Sequence, residues 1–203
     1  MRDPRPEDIR RISPDDMADP VAELLVERAC YLGHKSINYI ADFDDFMELD
    51  EPDGYSVHFT VGDKAYRISD TKTTIERRIY AVDTSPGGEV VGYGGLSESL
   101  TSKTIFTANK PIVLGIETYD GFREQGYGRR RYLAMNAASL LIFGDPLHSQ
   151  AKGNMLSDLA TRRWEAFIRE GLAETYLEPQ DMPGGRMIQR YRFKTDQVKS
   201  NQS

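Results

Sequence analysis

GFREQGYGRRRYLAM, residues 121–135, sets two glycines one residue apart between a single arginine and an arginine triplet. It follows an apolar run, PIVLGIETY, at 111–119. The run predicts a strand apolar enough to be central in a sheet. Beyond the glycines, Leu133, Ala137, Leu140 and Leu141 recur at i, i+4, i+7 and i+8, which predicts a helix that Gly144 ends. A strand that turns through glycines into a helix leaves the first backbone N–H groups unpaired, at the positive end of the helix dipole. A phosphate or pyrophosphate can sit there if the backbone comes close, and Gly126 and Gly128 have no Cβ to block it.

Arg123 stands on the entry side of this loop, and Arg129, Arg130 and Arg131 fall in the first helical turn. Cations in a first turn cost a few tenths of a kcal/mol each, roughly, and a bound polyanion would reverse the sign. The expectation is a pyrophosphate cradle for a coenzyme. The competing reading is a solvated, idle turn. There is no Gly-Lys-Ser/Thr of a P-loop and no GxGxxG dinucleotide fingerprint.

Working outward, SPDDMADPVAELLVERACYLG at 13–33 predicts a helix with two starts, Ser13-Pro14 and Asp19-Pro20, a periodic face from Val21 to Leu32, and a stop at Gly33. Residues 1–12 read as loosely ordered, and 34–54 as a short second helix with a turn at Pro52-Asp53-Gly54. YSVHFTV, KAYRIS, RRIYAVD and EVVGYGGL read as strands, with VGD at 61–63 and DTSPGG at 83–88 as the turns of two hairpins. A polar link, LSESLTSKTIFTANK, leads into the apolar run. DPLHSQ at 145–150 is a candidate short strand. Ala160, Trp164, Phe167 and Ile168 predict a helix ending at Gly171, and AETYLEP and RMIQRYRF a closing strand pair before a polar tail, 194–203. The expected fold is α+β (mixed α/β), a mostly antiparallel twisted sheet flanked by helices.

Hydrophobic residues at 39% and charged residues at 29% suit a chain that buries a real core. A formal charge of −6 argues against coating nucleic acid or anionic membrane, and fits a cationic acceptor. One cysteine, Cys30, excludes an intrachain disulfide and a cysteine-based zinc site. The start MRDPRPEDIRR lacks an apolar stretch of the secretory kind, and no run approaches a bilayer span, so a cytoplasmic protein is expected.

Arg123-x-x-Gly126-x-Gly128 after an apolar strand resembles the Q/R-x-x-G-x-G/A acetyl-CoA motif of the GNAT superfamily of N-acetyltransferases. The element order from RIYAVD to the end is similar to that family's, and NMLSDLATRRWEAFIREGLAE is similar to its later helix. The resemblance implies a GNAT-like core at 76–193, with 1–75 an elaboration of uncertain role. It implies transfer of an acetyl group from acetyl-CoA, as cosubstrate, to an amine of a small molecule or protein. The loop amides around Gln125, Gly126, Tyr127 and Gly128, with Arg123, would hold the pyrophosphate, and Arg129 or Arg130 the outer phosphates. Thr118 and Tyr119, ending the strand, would pair with the pantetheine arm, which Asn154 would help hold. Proximity and removal of the amine's proton would supply the chemistry.

Four residues are candidates for proton work. His148 falls on the strand beside the cofactor strand, and an unperturbed histidine titrates near neutrality. Glu117 is on the cofactor strand, though alternation turns it from the acceptor side unless a bulge intervenes. Tyr176 is a substitute for the family's tyrosine acid, whose usual place is taken by Trp164, itself read as core. Tyr191 is another such substitute. Gly92, Gly94 and Gly95 mark a bulge or close backbone approach. His34, His58, Ser149 and Ser157 carry no metal or nucleophile pattern, and the acidic stretch 42–53 reads as a solvated face. Two rival functions remain. One is a catalytically inactive binding or structural protein of the same fold. The other is a nucleic-acid binder using Arg129–Arg131, disfavoured by the net charge. A homodimer is left open.

Overall fold

A computed structural model of the chain describes residues 9–12, 45–50, 54–69, 72–99, 110–152, 156–179 and 186–195. Strands β1 (Ile9–Ile12), β2 (Asp45–Asp50), β3 (Ser56–Ser69), β4 (Lys72–Thr84), β5 (Val90–Ser99) and β6 (Ile112–Thr118) form one sheet in sequence order. Every neighbouring pair is antiparallel. Helices α1 (Tyr127–Phe143) and α2 (Asp158–Arg169) follow, and then a two-stranded sheet of β7 (Ala173–Pro179) and β8 (Met187–Phe193). The architecture is therefore mixed helix and antiparallel sheet, as composition and periodicity predict.

DPLHSQ joins the two sheets. His148 makes a parallel bridge to Ile112 and an antiparallel bridge to Arg192. Its amide donates to Pro111 O at 2.8 Å and its carbonyl accepts from Val113 N at 2.9 Å. The β4–β5 turn forms at 85–89 as the sequence predicts, with Gly88 N on Ser85 O at 2.8 Å. The fold also corrects several expectations. VGD makes no turn, because β3 runs unbroken from Ser56 to Ser69 and reverses into β4 only after it. Gly62 and Asp63 pair with Arg78 and Arg77, so ladder hydrogen bonds override local turn propensity there. The acidic stretch contains β2 rather than a short helix, and Ile9–Ile12, expected to be loosely ordered, pairs with it as β1. The division expected at 75/76 falls inside β4. The helix expected at 13–33 lies outside the described residues.

Alternation along the strands creates two sheet faces. Tyr55, Val57 and Phe59 of the β3 arm, Ile79 and Ala81 of β4, and Leu96 of β5 share a core with Leu133, Ala134, Met135 and Ala138 of α1. Trp164 and Phe167 of α2 join it with Ala173, Tyr191 and Phe193 from the second sheet. The Tyr132 ring meets Trp164 and Phe167 edge-on at 5.5 and 5.6 Å, locking the helices together. The buried face of α1 is not the one its spacing predicts. Leu141 is 45% exposed, while Arg131 and Ser139 are fully buried. The helix is covered on more than one side and polar residues enter its packed faces, so periodicity alone misplaces its seam.

Candidate active site at the open edge of β6

β6 is paired with β5 along its length, and among the described residues its other edge is engaged only near its start. There Ile112 meets His148, and one step on the Gln150 side chain, not a backbone group, donates Nε2 to Leu114 O at 2.9 Å. Among the described residues no backbone hydrogen bond joins the two segments beyond that point. The cause is local: Gly95 opposes Gly115 and Leu96 opposes Val113, so Leu114 is an extra residue in β6, a bulge that bends the strand. Tyr119 N donates to Val91 O at 2.9 Å, which sets the alternation. Residues 115, 117 and 119 direct their backbone groups at β5, leaving the N–H and C=O of Ile116 and the N–H of Thr118 on the open edge.

At the end of β6 the chain passes through a short 3-10 turn, Asp120–Phe122, into the glycine loop. Glu124 at φ +65° and Gly126 at φ +87° are both left-handed. Gly126 is the N-cap of α1, and its carbonyl accepts from Arg129 N and Arg130 N at 3.0 and 3.2 Å. The five preceding amides, from Glu124 to Gly128, have no acceptor among the described residues. Alternating left-handed residues ahead of a helix N-terminus form a concave nest of N–H groups, an anion-binding shape.

Gly128 sharpens the point. A Cβ there would approach nothing nearer than Thr118 Oγ1 at 3.7 Å, an ordinary contact, and its φ is not left-handed. Among the described residues nothing packed against this position calls for glycine, and glycine in a helix costs about 0.5–1 kcal/mol relative to alanine. Gly92 is the opposite case. A Cβ there would lie 2.1 Å from Glu117 O and 2.5 Å from Arg131 Nη2, so the fold requires glycine. Gly94 is tight as well, against Met135 Sδ at 3.0 Å, which with the bulge beside Gly95 accounts for the glycine-rich reading of β5.

Arg131 occupies the space that Gly92 leaves. It is fully buried and forks onto Asp83, Nε to Oδ1 at 2.6 Å and Nη2 to Oδ2 at 2.9 Å. Its Nη1 donates to Glu117 O at 2.6 Å and to Thr118 Oγ1 at 3.3 Å, and Tyr55 OH donates to Asp83 Oδ2 at 2.5 Å. The cation that seems misplaced in a first helical turn is therefore balanced from within the chain, not by a ligand. This also removes Arg131 from any nucleic-acid surface. Asp83 was legible in principle: it continues the inward series Ile79, Ala81, and a carboxylate at an inward strand position demands a cation.

The other predicted binding residues surround the nest. Arg123, 61% exposed at its side chain, donates Nε to Thr118 O at 3.2 Å and pairs with Asp120 at 2.7 Å. Gln125 Nε2 donates to Gly121 O at 3.0 Å. Tyr127 packs between Phe122 and Tyr55. Arg129 reaches away to Glu170 at 3.0 Å, past the end of α2, and the Arg130 guanidinium lies 5.5 Å from the Tyr55 ring centre. Tyr119 stands beside Tyr93, ring centres 6.3 Å apart. Asn154 lies outside the described residues.

Of the four proton-transfer candidates the structure joins two. His148 Nδ1 is 2.7 Å from Tyr176 OH, although 28 positions separate them in sequence. Nε2 of the same ring is 3.2 Å from Asp145 Oδ2. Burial holds the imidazole below its ordinary value, against the opposing pull of Asp145. Burial likewise pushes the Tyr176 phenol well up, with Glu178 adding to it. Glu117 is elsewhere: it is exposed, accepts from Tyr93 OH at 2.6 Å, and lies on the order of 16 Å along β6 from the residue that pairs with His148. Trp164 is fully buried core, stacked on Tyr191 at 5.9 Å.

No protein-family model matches the chain, and no curated protein matches it either. Among the described residues no helix is long and apolar enough to cross a membrane.

Proposed function

We propose that the chain is an acetyl-CoA-dependent N-acetyltransferase, with the coenzyme's pyrophosphate on the Glu124–Gly128 amides and its pantetheine arm along the open edge of β6. The observation that carries this reading is the conjunction at Gly128: a glycine that no described neighbour requires, in a row of five amides without acceptors among the described residues. A pantetheine arm carries two amides, and the groups of Ile116 and Thr118 that have no partner among the described residues are strand-edge partners for such a backbone-like chain. The thioester end would lie near the bulge at Leu114, where the Gln150 side chain rather than a backbone group meets β6. The acceptor is an amine of a small molecule or protein, attacking as the free base.

Thermal unfolding with acetyl-CoA, CoA and NAD, on the native chain and on Gly128→Glu, tests this. An acidic residue in the first helical turn favours the helix, so the variant keeps or gains stability without ligand. Both CoA species should raise the native melting point by mass action, and neither should move the variant. A native chain indifferent to millimolar CoA, or a variant shifted as much as the native chain, would contradict the reading. CoA binding without CoA release in the presence of amines would favour the non-catalytic protein of the same fold.

A further inference from the structure

His148 is 1% exposed and cannot itself meet a substrate, yet its ring is held at both nitrogens. Asp145, immediately after the Gly144 cap of α1, offers only acceptor oxygens when ionised, so it selects the tautomer with hydrogen on Nε2. Nδ1 then carries the lone pair and accepts from Tyr176 OH. The chain of donors runs Tyr176 to His148 to Asp145, the order in which a triad delivers basicity to a hydroxyl. Tyr176 is only half-buried, and its hydroxyl retains lone pairs for a further donor. Lys110 Nζ lies 4.8 Å and the Arg192 guanidinium 5.1 Å from its ring centre, so two cations stand against the phenol ring.

The cluster's place is equally informative. His148 bridges β6 two residues ahead of Gln150, so it stands beside the place proposed for the thioester. The groups facing it are Asp145 from its own segment, Tyr176 and Glu178 from β7, Arg190 and Arg192 from β8, and Lys110 ahead of β6. Glu178 is engaged by Arg190 at 2.6 Å and Lys110 at 3.4 Å, leaving Asp145 as the carboxylate bound to the ring.

We propose that Tyr176, His148 and Asp145 form a proton relay in which the Tyr176 hydroxyl meets the acceptor amine and His148 stores the proton. This rests on the acetyl-transfer reading. The amine nitrogen bonds to the thioester carbon, the carbon–sulfur bond breaks, and its electron pair leaves on the CoA sulfur. The surplus proton of the new amide nitrogen passes to the Tyr176 oxygen, whose own proton moves to Nδ1 of His148. The imidazolium is held beside Asp145, and its proton returns through Tyr176 to the thiolate or to water, closing the cycle. Tyr176 is the catalytic residue, and His148 and Asp145 are positioning residues.

Two measurements on the full chain test the relay. Nitrogen-15 NMR of the imidazoles should show His148 neutral and protonated at Nε2, with the Nδ1 resonance moving in Tyr176→Phe as its hydrogen bond is lost. CoA release from acetyl-CoA should then be followed with putrescine, lysine and a free dipeptide as probe amines. Tyr176→Phe should bind CoA like the native chain and lower kcat about 100-fold, the lower range for general acid–base catalysis. His148→Gln should abolish the fall in rate on the acid side of the native pH profile. Hydrogen on Nδ1, or Tyr176→Phe turning over within about twofold of native, would overturn the relay alone. CoA binding with no release from any probe amine would overturn the relay and the transfer reaction together, whereas absent CoA binding would overturn the coenzyme site.

Discussion

At the scale of single residues, the site contrasts glycines and charges that serve the fold with those that do not. Gly92 is needed because Arg131 and the Glu117 carbonyl fill its Cβ position, and Gly128 has no such reason among the described residues. Burial holds the His148 imidazole below its ordinary value, and this has a consequence for stability. Below its ordinary 6.5 the unfolded chain takes up a proton there before the folded chain does. Stability therefore rises with pH between the lowered folded value and 6.5, and its contribution is complete above that. The folded chain should lose stability as pH falls through this window, and His148→Gln should lose less. Urea unfolding at a series of pH values checks this, and parallel curves for the two chains would contradict it. The glycine loop and His148 were legible from residue type and spacing. The roles of Arg131 and Asp145 were not, because each depends on a partner that only the fold supplies.

At the scale of elements, the Asp83–Arg131 pair fastens the first turn of α1 to the ends of β4 and β6 at once. A buried fork of this kind adds little net stability against an apolar substitute, but removing one member strands the other. Asp83→Asn should cost about 3–5 kcal/mol. The double substitution Asp83→Leu with Arg131→Met should recover much of that cost. Denaturant unfolding of the three chains decides it, and a loss in the single variant below about 1 kcal/mol would show that the pair carries no such burden. The misread elements share one cause. VGD carries turn-forming residues, yet β3 and β4 pair across 56–84, and a long ladder outweighs a local preference. β2 is acidic and reads as solvated, but its strand character comes from its pairing with β3, a non-local contact that spacing within the segment does not encode.

At the scale of the whole molecule, the antiparallel sheet, the glycine loop opening α1, the short bridge at His148 and the closing β7–β8 pair follow the order read from the sequence. What sequence did not reveal is how the opening beside β6 arises. It needs the Leu114 bulge, the backbone bridge at Ile112 and the substitution of Gln150's side chain for a backbone partner. These are properties of register, and register is set by two strands together. The central claim, that the loop and the open edge hold one coenzyme, is tested most directly by backbone amide NMR during a CoA titration. The account predicts saturable, coordinated shifts at Glu124–Gly128 together with Ile116 and Thr118. A saturating titration that leaves the loop amides unmoved would contradict it.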